Sequence, residues 1–170
     1  MIWVTGDPHF GHESIIRHCE RPFANVGEMD EALVKGWNKV VTRNDRVYVL
    51  GDFAFRCTRQ YAQDVLDSLR GVKTLVAGNH DYKLGRHLNG WESVCDMHVI
   101  APRSHVPVIL CHYPMLSWWK SNRKSIHLHA HLHSRSTSQD AVAKRRIDMG
   151  VDSCRFMPIS LDAIRAFLEC

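Results

Sequence analysis

Four histidines alternate along one short stretch of the chain. His127, His129, His131 and His133 occupy every second position within residues 125–134. In an extended chain this spacing places all four imidazoles on one face. Imidazole is the commonest protein ligand for metals near neutral pH. The alternation fits two interpretations equally well. The histidines are either metal ligands or a row of side chains on the solvent-exposed face of a strand.

Polar groups that bind metals or transfer protons also follow four other segments. Short apolar runs predict buried strands at residues 2–5, 46–50, 74–77 and 106–110. The groups placed directly after these strands are Asp7, His9, Asp52, Asn79, His80, Asp81 and His112. In open α/β sheets, ligands bind beyond the carboxyl ends of the strands. The sequence therefore predicts one site, assembled from pieces that lie far apart along the chain.

The segments between these strands indicate an α/β chain. Apolar residues recur near a 3.6-residue period in 28–41 and 59–70, which predicts two amphipathic helices, and 14–19 predicts a helical turn. The second half is richer in strands. Its remaining predicted elements are a strand at 94–100, a solvated loop or hairpin at 135–146, a strand at 147–151 and a helix at 160–168 with Ser160 as its N-cap.

Composition describes an ordinary globular chain. With 170 residues, 45% of them hydrophobic and 24% charged, we expect one domain over residues 1–170. The net charge of +4 suits a phosphate-bearing substrate but is too weak to indicate nucleic-acid binding by itself. The six cysteines include no CxxC pair, and no leader or transmembrane segment is visible. We therefore expect a cytoplasmic location, reduced thiols and no membrane partner.

Five blocks along the chain resemble the motifs of the calcineurin-like metallophosphoesterases, in particular small single-domain members from bacteria and phages. The blocks are Asp7-Pro8-His9, Gly51-Asp52, Gly78-Asn79-His80-Asp81, His112 and Ala130-His131-Leu132-His133. Five blocks in a fixed order are far more specific than any one of them. The resemblance implies an α/β (α+β) fold in which two mixed β-sheets pack as a sandwich flanked by helices.

The resemblance also implies a dinuclear metal centre that hydrolyses phosphate esters. The implied ligand sets are Asp7, His9, Asp52 and His133 for one ion, and Asp52, Asn79, His112 and His131 for the other. Asp52 would bridge the two ions. Such a pair lowers the pKa of a bound water, so that hydroxide attacks phosphorus at neutral pH. Mixed imidazole, carboxylate and amide ligands favour Mn, with Fe, Zn or Ni also possible.

His80 stands next to a ligand without being one. The resemblance implies that it protonates the leaving oxygen or stabilises the transition state. Asp81 is the expected partner that orients its imidazole. The alternative is that both residues only close their loop. Asp148 and Asp152 are further candidates, as partners of the ligand histidines.

Four more residues are candidates for substrate contacts. His12 is close in sequence to the predicted site, where it either touches substrate or caps a helix. Arg21 and Arg56 can each clamp a phosphate through two oxygens, although most arginines are simply surface residues. Trp118, next to Trp119, can stack on a nucleobase or cover the core. The expected partner is a nucleotide-like phosphate ester, and nucleic acid is possible.

Two positions depart from the family pattern: Ala130 stands where the family has glycine, and Leu132 stands where it has a small polar residue. If that glycine supplies a positive φ, alanine strains the loop. If it only allows close approach of the backbone, alanine is tolerated. No ligand position is lost, and His127 and His129 are left as strand residues.

Three functions remain open at this point. The first is a metal-dependent phosphoric ester hydrolase acting on a phosphodiester or a phosphomonoester, with the diester preferred. The second is a nuclease acting on nucleic-acid ends or single strands. The third is a binding protein that keeps the fold without catalysis, which predicts the loss of a ligand.

Overall fold

The computed structural model describes residues 1–101, 105–134 and 145–169. The strands within these ranges are β1 (Ile2–Thr5), β2 (Arg46–Val49), β3 (Val72–Val76), β4 (Trp91–Cys95), β5 (Met97–Ile100), β6 (Val108–Cys111), β7 (Ile126–His129), β8 (Arg146–Asp148) and β9 (Ile159–Ser160). The helices are α1 (Glu13–His18), α2 (Val26–Val40), α3 (Arg59–Ser68) and α4 (Leu161–Glu169). No helix in these ranges is long and apolar enough to cross a lipid bilayer.

The strands form two mixed sheets, as predicted. The first has the order β4-β3-β2-β1-β9, in which β1 to β4 are parallel and β9 is antiparallel to β1. The second has the order β5-β6-β7-β8, in which only β5 is antiparallel to its neighbour. The carboxyl ends of β1, β2 and β3 therefore meet at one edge of the first sheet, and those of β6 and β7 meet at one edge of the second.

Apolar side chains from both sheets pack into one core layer. Val4 and Val76 on the first sheet share a buried cluster with Leu110 and Leu128 on the second. A second cluster fills the other face of the first sheet, where α2 and α3 cover it. Full burial of a Val or Leu side chain contributes about 1.5–3 kcal/mol. The two layers thus explain why the predicted strands read as nearly continuous apolar runs.

The helices begin at polar caps that the sequence carries. The Asn25 side chain accepts from the Glu28 N–H at 2.9 Å and starts α2 two residues before the predicted position. Thr58 caps α3 in the same way. Ser160 Oγ accepts from the Ala163 N–H at 3.2 Å, as predicted for α4. Each such cap contributes about 1 kcal/mol.

Three strand predictions were wrong in extent. The strand expected at 147–151 ends earlier, because β8 covers only Arg146–Asp148. Residues 94–100 were expected to form one strand, but Asp96 separates β4 from β5, and the two strands belong to different sheets. The His-rich stretch 125–134 is extended only over β7, and its last residues form a turn. Most of the polar segment predicted at 135–146 lies outside the described residues, since 135–144 are not among them.

Candidate metal centre

The segments that follow four strands are joined by hydrogen bonds into one site. The Asp7 N–H donates to the Gly51 carbonyl at 3.1 Å, which ties the end of β1 to the end of β2. The Ala130 N–H donates to the His112 carbonyl at 3.0 Å, which ties β7 to β6. The His131 N–H then donates to Asp7 Oδ2 at 2.6 Å and joins the two sheets. The strand ends therefore meet, as the sequence indicates.

Five of the seven predicted ligands have a left-handed backbone. The φ angles are 51° at Asp7, 54° at His9, 52° at Asp52, 72° at His131 and 49° at His133. A non-glycine residue in this region costs of the order of 1 kcal/mol, and such residues cluster at functional sites. The surrounding sheets thus hold these side chains in directions that a relaxed turn would not provide.

The first ligand group consists of Asp7, His9 and His133. One nitrogen or oxygen atom from each lies within 4.8 Å of the other two. Asp7 and His9 are almost fully buried. Among the described residues, neither Asp7 Oδ1 nor His9 Nε2 has a hydrogen-bond partner. Buried polar atoms without partners, on residues whose ligand atoms lie this close together, are what a metal ion would satisfy.

The second ligand group consists of Asp52, His112 and His131, again within 4.8 Å of one another. His112 Nε2 lies 3.1 Å from His131 Nδ1 and 3.2 Å from Asn79 Oδ1, so the predicted amide ligand reaches the same place. Asp52 and His112 are buried, whereas Asn79 and His131 are exposed. The second group is therefore the more open of the two.

The Asp52 carboxylate lies between the two groups. Its Oδ1 accepts from the His80 N–H at 2.9 Å. Its Oδ2 lies 3.6 Å from His9 Nε2 in one group and 3.6 Å from His112 Nε2 in the other. One oxygen is thus held by the backbone while the other faces both groups.

The electrostatics of the site suit a cation. Burial, together with the nearby Asp52 and Asp148 carboxylates, raises the pKa of Asp7 well above its usual range. Burial and the neighbouring charge on His133 hold the pKa of His9 well below its usual range, so that its ring is neutral. A neutral imidazole offers a lone pair, and buried carboxylates close together are stabilised by positive charge. The donor set of imidazole, carboxylate and amide therefore fits divalent transition metals.

Arg21 does not have the predicted place at the substrate. Its side chain is fully buried and forms a two-pronged ion pair with Asp152, with Nε–Oδ1 and Nη2–Oδ2 distances of 2.8 and 2.9 Å. It also donates to the carbonyls of Asp7 and Pro8 at 2.8 Å. With these donors engaged, Arg21 is not free to clamp a phosphate, and instead supports the loop after β1.

Asp152 connects this arginine to a ligand. His133 Nδ1 lies 2.8 Å from Asp152 Oδ2. Burial lowers the pKa of His133, but the hydrogen bonds to Asp152 and Cys19 and the charge on Asp7 together outweigh it and raise the pKa to about 10. Asp152 is thus placed as the partner of a ligand histidine. Within the described ranges, the Asp148 side chain accepts from the backbone N–H groups of Gly150, at 2.9 Å, and Ser134, at 3.3 Å.

Asp81 was predicted to orient the His80 imidazole, but its carboxylate is engaged by the backbone instead. Its carboxylate accepts from three backbone groups, the N–H of Asp52 at 2.7 Å, of Gly78 at 2.8 Å and of Phe53 at 3.0 Å. The fully buried carboxylate therefore fixes the loops after β2 and β3 to each other. A β-carbon on Gly78 would lie 2.3 Å from Asp52 Oδ1, which explains the glycine at this crossing.

His80 and His12 both border the ligand groups. His80 Nε2 lies 4.0 Å from Asp52 Oδ2, and about a third of the His80 side chain is exposed. His12 Nδ1 lies 3.3 Å from His9 Nδ1, which leaves His9 Nε2 to face the site. Burial, and then the charge on Arg56, lowers the pKa of His12 to about 4. His12 starts α1 without capping it through its side chain.

The remaining two substrate candidates differ in position. Arg56 is exposed at the site and lies over the Phe55 ring at 5.4 Å. Trp118 lies against His127 on the outer face of the second sheet, with its ring centroid 5.3 Å from that imidazole. Its Nε1 donates to Ser125 Oγ at 3.0 Å. Trp118 therefore covers the sheet, which is the alternative interpretation of this residue, rather than the site.

Ala130 has a negative φ, since it is absent from the positive-φ residues of the described chain. The change from glycine therefore creates no backbone strain. A β-carbon on Gly6 would lie 2.6 Å from the Ala130 β-carbon. Gly6 thus supplies the space that the Ala130 methyl group fills.

Three residues near the site are not found by motif reasoning. Phe55 packs between His80, at 4.1 Å, and His12, at 4.8 Å. Tyr113 is partly exposed and contacts the rings of the two second-group histidines. Cys19 forms a further group with His133 and Asp152. In the sequence, Phe55 and Tyr113 could be found by their nearness to predicted ligands, since each lies within three residues of one.

Comparisons with known proteins agree with this geometry. A family model described as calcineurin-like phosphoesterase matches residues 1–156. The uncharacterized protein MJ1445 of Methanocaldococcus jannaschii is 31% identical over 172 residues, which span 99% of this chain and 91% of that protein. The Gene 66 protein of Mycobacterium phage L5 is 27% identical, over 89% of this chain and 86% of its own.

A solved structure has a similar fold. It is the protein of unknown function AQ665 from Aquifex aeolicus, with a TM-score of 0.78, 22% identity and 98% of each chain covered. At this identity the likeness concerns the fold alone. The family match, together with the two ligand groups, is what bears on chemistry.

Proposed function

The chain belongs to the calcineurin-like phosphoesterase family, and we propose that it hydrolyses phosphodiesters with two divalent metal ions. The observation that supports this most strongly is the position of the Asp52 carboxylate between the two ligand groups. A single oxygen lies 3.6 Å from His9 Nε2 and from His112 Nε2. A carboxylate so placed can bridge two ions.

The proposed ligands divide between the two ions. They are Asp7, His9, Asp52 and His133 for the first, and Asp52, Asn79, His112 and His131 for the second. Two bound divalent ions polarise a phosphate ester and lower the pKa of a water molecule at the site. The mixed nitrogen and oxygen donors favour Mn, with Fe, Zn and Ni as alternatives.

His80 is the proposed proton donor to the leaving oxygen. Its backbone N–H is fixed by Asp52 and its ring rests on Phe55, so the imidazole is held at the edge of the site. A diester releases a poor alkoxide leaving group, which needs a proton in the transition state. A proton donor at this position therefore suits phosphate esters of aliphatic alcohols.

A nuclease is the second candidate, because the second ligand group is open. Asn79 and His131 are exposed, and an open site admits an extended strand. A nuclease would show affinity for single-stranded oligonucleotides that falls steeply with salt. Weak, salt-independent binding would favour a small diester instead.

The test uses Asp52→Asn with a generic aryl phosphodiester and added Mn. The activity of the variant should fall by at least about a hundredfold, since even the loss of a residue behind the ligands costs about 10–100-fold. Asp162→Asn, at an exposed position on α4, is the matched control and should keep full activity. Full activity in Asp52→Asn, or in wild-type protein with a strong chelator, would contradict the proposal.

A further inference from the structure

Two clefts flank the candidate metal centre, and a ridge formed by Phe55 and Arg56 separates them. The first, which we call the His12 cleft, has a volume of about 630 Å³. The second, which we call the Tyr82 cleft, has a volume of about 530 Å³. Arg56 lines both clefts. Each volume suits one part of a nucleotide-sized ligand.

The ridge is held by the site itself. Phe55 contacts the rings of His12 on one side and His80 on the other. Arg56 has a φ of 57° and places its guanidinium over the Phe55 ring. Both clefts therefore border the ridge, with His12 in the lining of one and Asn79 and His80 in the lining of the other.

The His12 cleft is the more polar and is positively charged. Its lining includes Arg17 and Arg56, opposed by Glu13 alone among the charged side chains. It also includes His12, which adjoins the first ligand group through His9. An anionic group next to the reacting phosphate would be attracted here.

The Tyr82 cleft offers a flat aromatic surface. It is lined by His80, Tyr82 and Lys83, among others, and adjoins the second ligand group at Asn79. Tyr82 is 58% exposed. Arg86 lies over one face of its ring at 4.8 Å and does not line the cleft. The opposite face is left for a ligand, and an aromatic ring backed by a cation is a good surface for a nucleobase.

We propose that the two clefts bind the two arms of a nucleotide diester, with a nucleobase of the leaving arm on Tyr82 and an anionic retained arm beside Arg17. The proposal rests on the proposed function. His80 lines the Tyr82 cleft, so the arm in that cleft is the one whose oxygen receives the proton. The substrate class is therefore a dinucleotide or the end of a short oligonucleotide.

The bond changes are those of a hydrolysis. The bond from phosphorus to the leaving-arm oxygen breaks, and a new bond forms from phosphorus to the oxygen of water. The leaving oxygen takes a proton from the His80 ring and departs as a nucleoside hydroxyl. The retained arm leaves as a phosphate monoester, and the proton lost by water restores His80.

The first experiment compares two substrates that differ only in the leaving arm. A dinucleoside monophosphate releases a nucleoside, and a nucleoside methyl phosphate releases methanol. For Tyr82→Ala, the ratio of their kcat/KM values should fall about tenfold, because stacking of one base contributes roughly that factor or more. An unchanged ratio would overturn the assignment.

Trp119→Ala is the matched control. Trp119 is 52% exposed and carries Lys120 at 4.3 Å over its ring, so it resembles the pair of Tyr82 and Arg86 in chemistry. It lines neither cleft. The substrate ratio should remain that of the wild type in this variant. A similar fall in both variants would show a nonspecific effect of removing exposed rings and would contradict the proposal.

The second experiment tests the retained arm. A terminal phosphate on that arm should raise kcat/KM in the wild type, and Arg17→Gln should reduce this preference several-fold. Arg43→Gln, at another exposed arginine in a turn, should not. If the wild type and Arg17→Gln preferred the terminal phosphate equally, binding of the anionic arm in the His12 cleft would be contradicted.

A binding measurement separates this proposal from the proposed function. The fluorescence of an aminopurine nucleoside should be quenched on binding to the Mn-loaded protein, and Tyr82→Ala should abolish the quenching. Quenching without hydrolysis of any diester would contradict the proposed activity while supporting the nucleobase surface. Hydrolysis of the dinucleoside monophosphate without quenching in the wild type would contradict the nucleobase surface alone.

Discussion

The four alternating histidines form two pairs that share residue type and spacing but differ in every structural respect. His127 and His129 lie on β7 and are fully buried. His131 and His133 follow the strand and have positive φ angles. His127 accepts from the Met115 N–H at 3.0 Å, so its ring is part of the packing of the second sheet. The later pair faces the two ligand groups.

This difference shows that position relative to the strand end, and not the two-residue period, decides which histidines can bind metal. On the strand, side chains point to the two faces of the sheet, where neighbouring segments cover them. Beyond the strand, the backbone turns and directs side chains to the edge where other strand ends meet. Ala130 marks the boundary between the two pairs.

The largest expected effect on stability concerns the support behind His133. Arg21→Met removes a buried ion pair and leaves the Asp152 carboxylate with the His133 ring as its remaining partner among the described side chains, so the free energy of unfolding should fall by about 3–5 kcal/mol. Urea denaturation of the metal-free protein measures this change. Arg46→Met breaks the exposed pair of Arg46 with Glu92 and should cost no more than about 1 kcal/mol. If Arg21→Met and Arg46→Met lost the same free energy of unfolding, a supporting role of Arg21 behind His133 would be contradicted.

The pH dependence of the free energy of unfolding tests the burial of His127, one of the two histidines on β7. Burial lowers the pKa of His127 to about 4, below the usual value of about 6.5 in an unfolded chain. As the pH falls from about 6.5 to about 4, the unfolded chain takes up a proton that the folded chain does not, so the folded state loses about 3 kcal/mol. Over this pH range, the free energy of unfolding of His127→Gln should fall by about 3 kcal/mol less than that of the wild type. Identical pH profiles for the two metal-free proteins would show that His127 is not buried as a neutral ring.

The smallest effect concerns the boundary residue. Gly6→Ala should destabilise the protein by about 1–3 kcal/mol, because its new methyl group would meet the Ala130 methyl group. Ala130→Gly should relieve part of this cost in the double variant, giving a coupling of at least about 0.5 kcal/mol. Additive free energies of unfolding in the double-mutant cycle would exclude the contact.

Much of the fold, and the meeting of the candidate ligands at one edge, could be predicted from the sequence, because both follow from local patterns. Apolar runs ending in Asp7, Asp52 and Asn79 indicate strands whose ends converge, and order along the chain suffices for that. The division of 94–100 into two strands could not be predicted, since it depends on which sheet each half joins. The sequence carries no local mark for that choice.

The roles of supporting residues were the least predictable. Arg21 and Asp152 are 131 positions apart, so their ion pair has no signature in the sequence. Asp81 follows His80 directly, which suggested a pairing of their side chains, yet the backbone turns its carboxylate toward three N–H groups instead. Contacts of this kind depend on the path of the chain in three dimensions.

In the proposed centre, the two histidines after β7 hold one metal ion each, on either side of Asp52. The metal content per chain after equilibration with Mn tests this arrangement. The wild type and His127→Gln should bind two ions, whereas His131→Ala and His133→Ala should each retain one, with the fold checked by circular dichroism. Two ions in either alanine variant, or the loss of an ion in His127→Gln, would contradict the account.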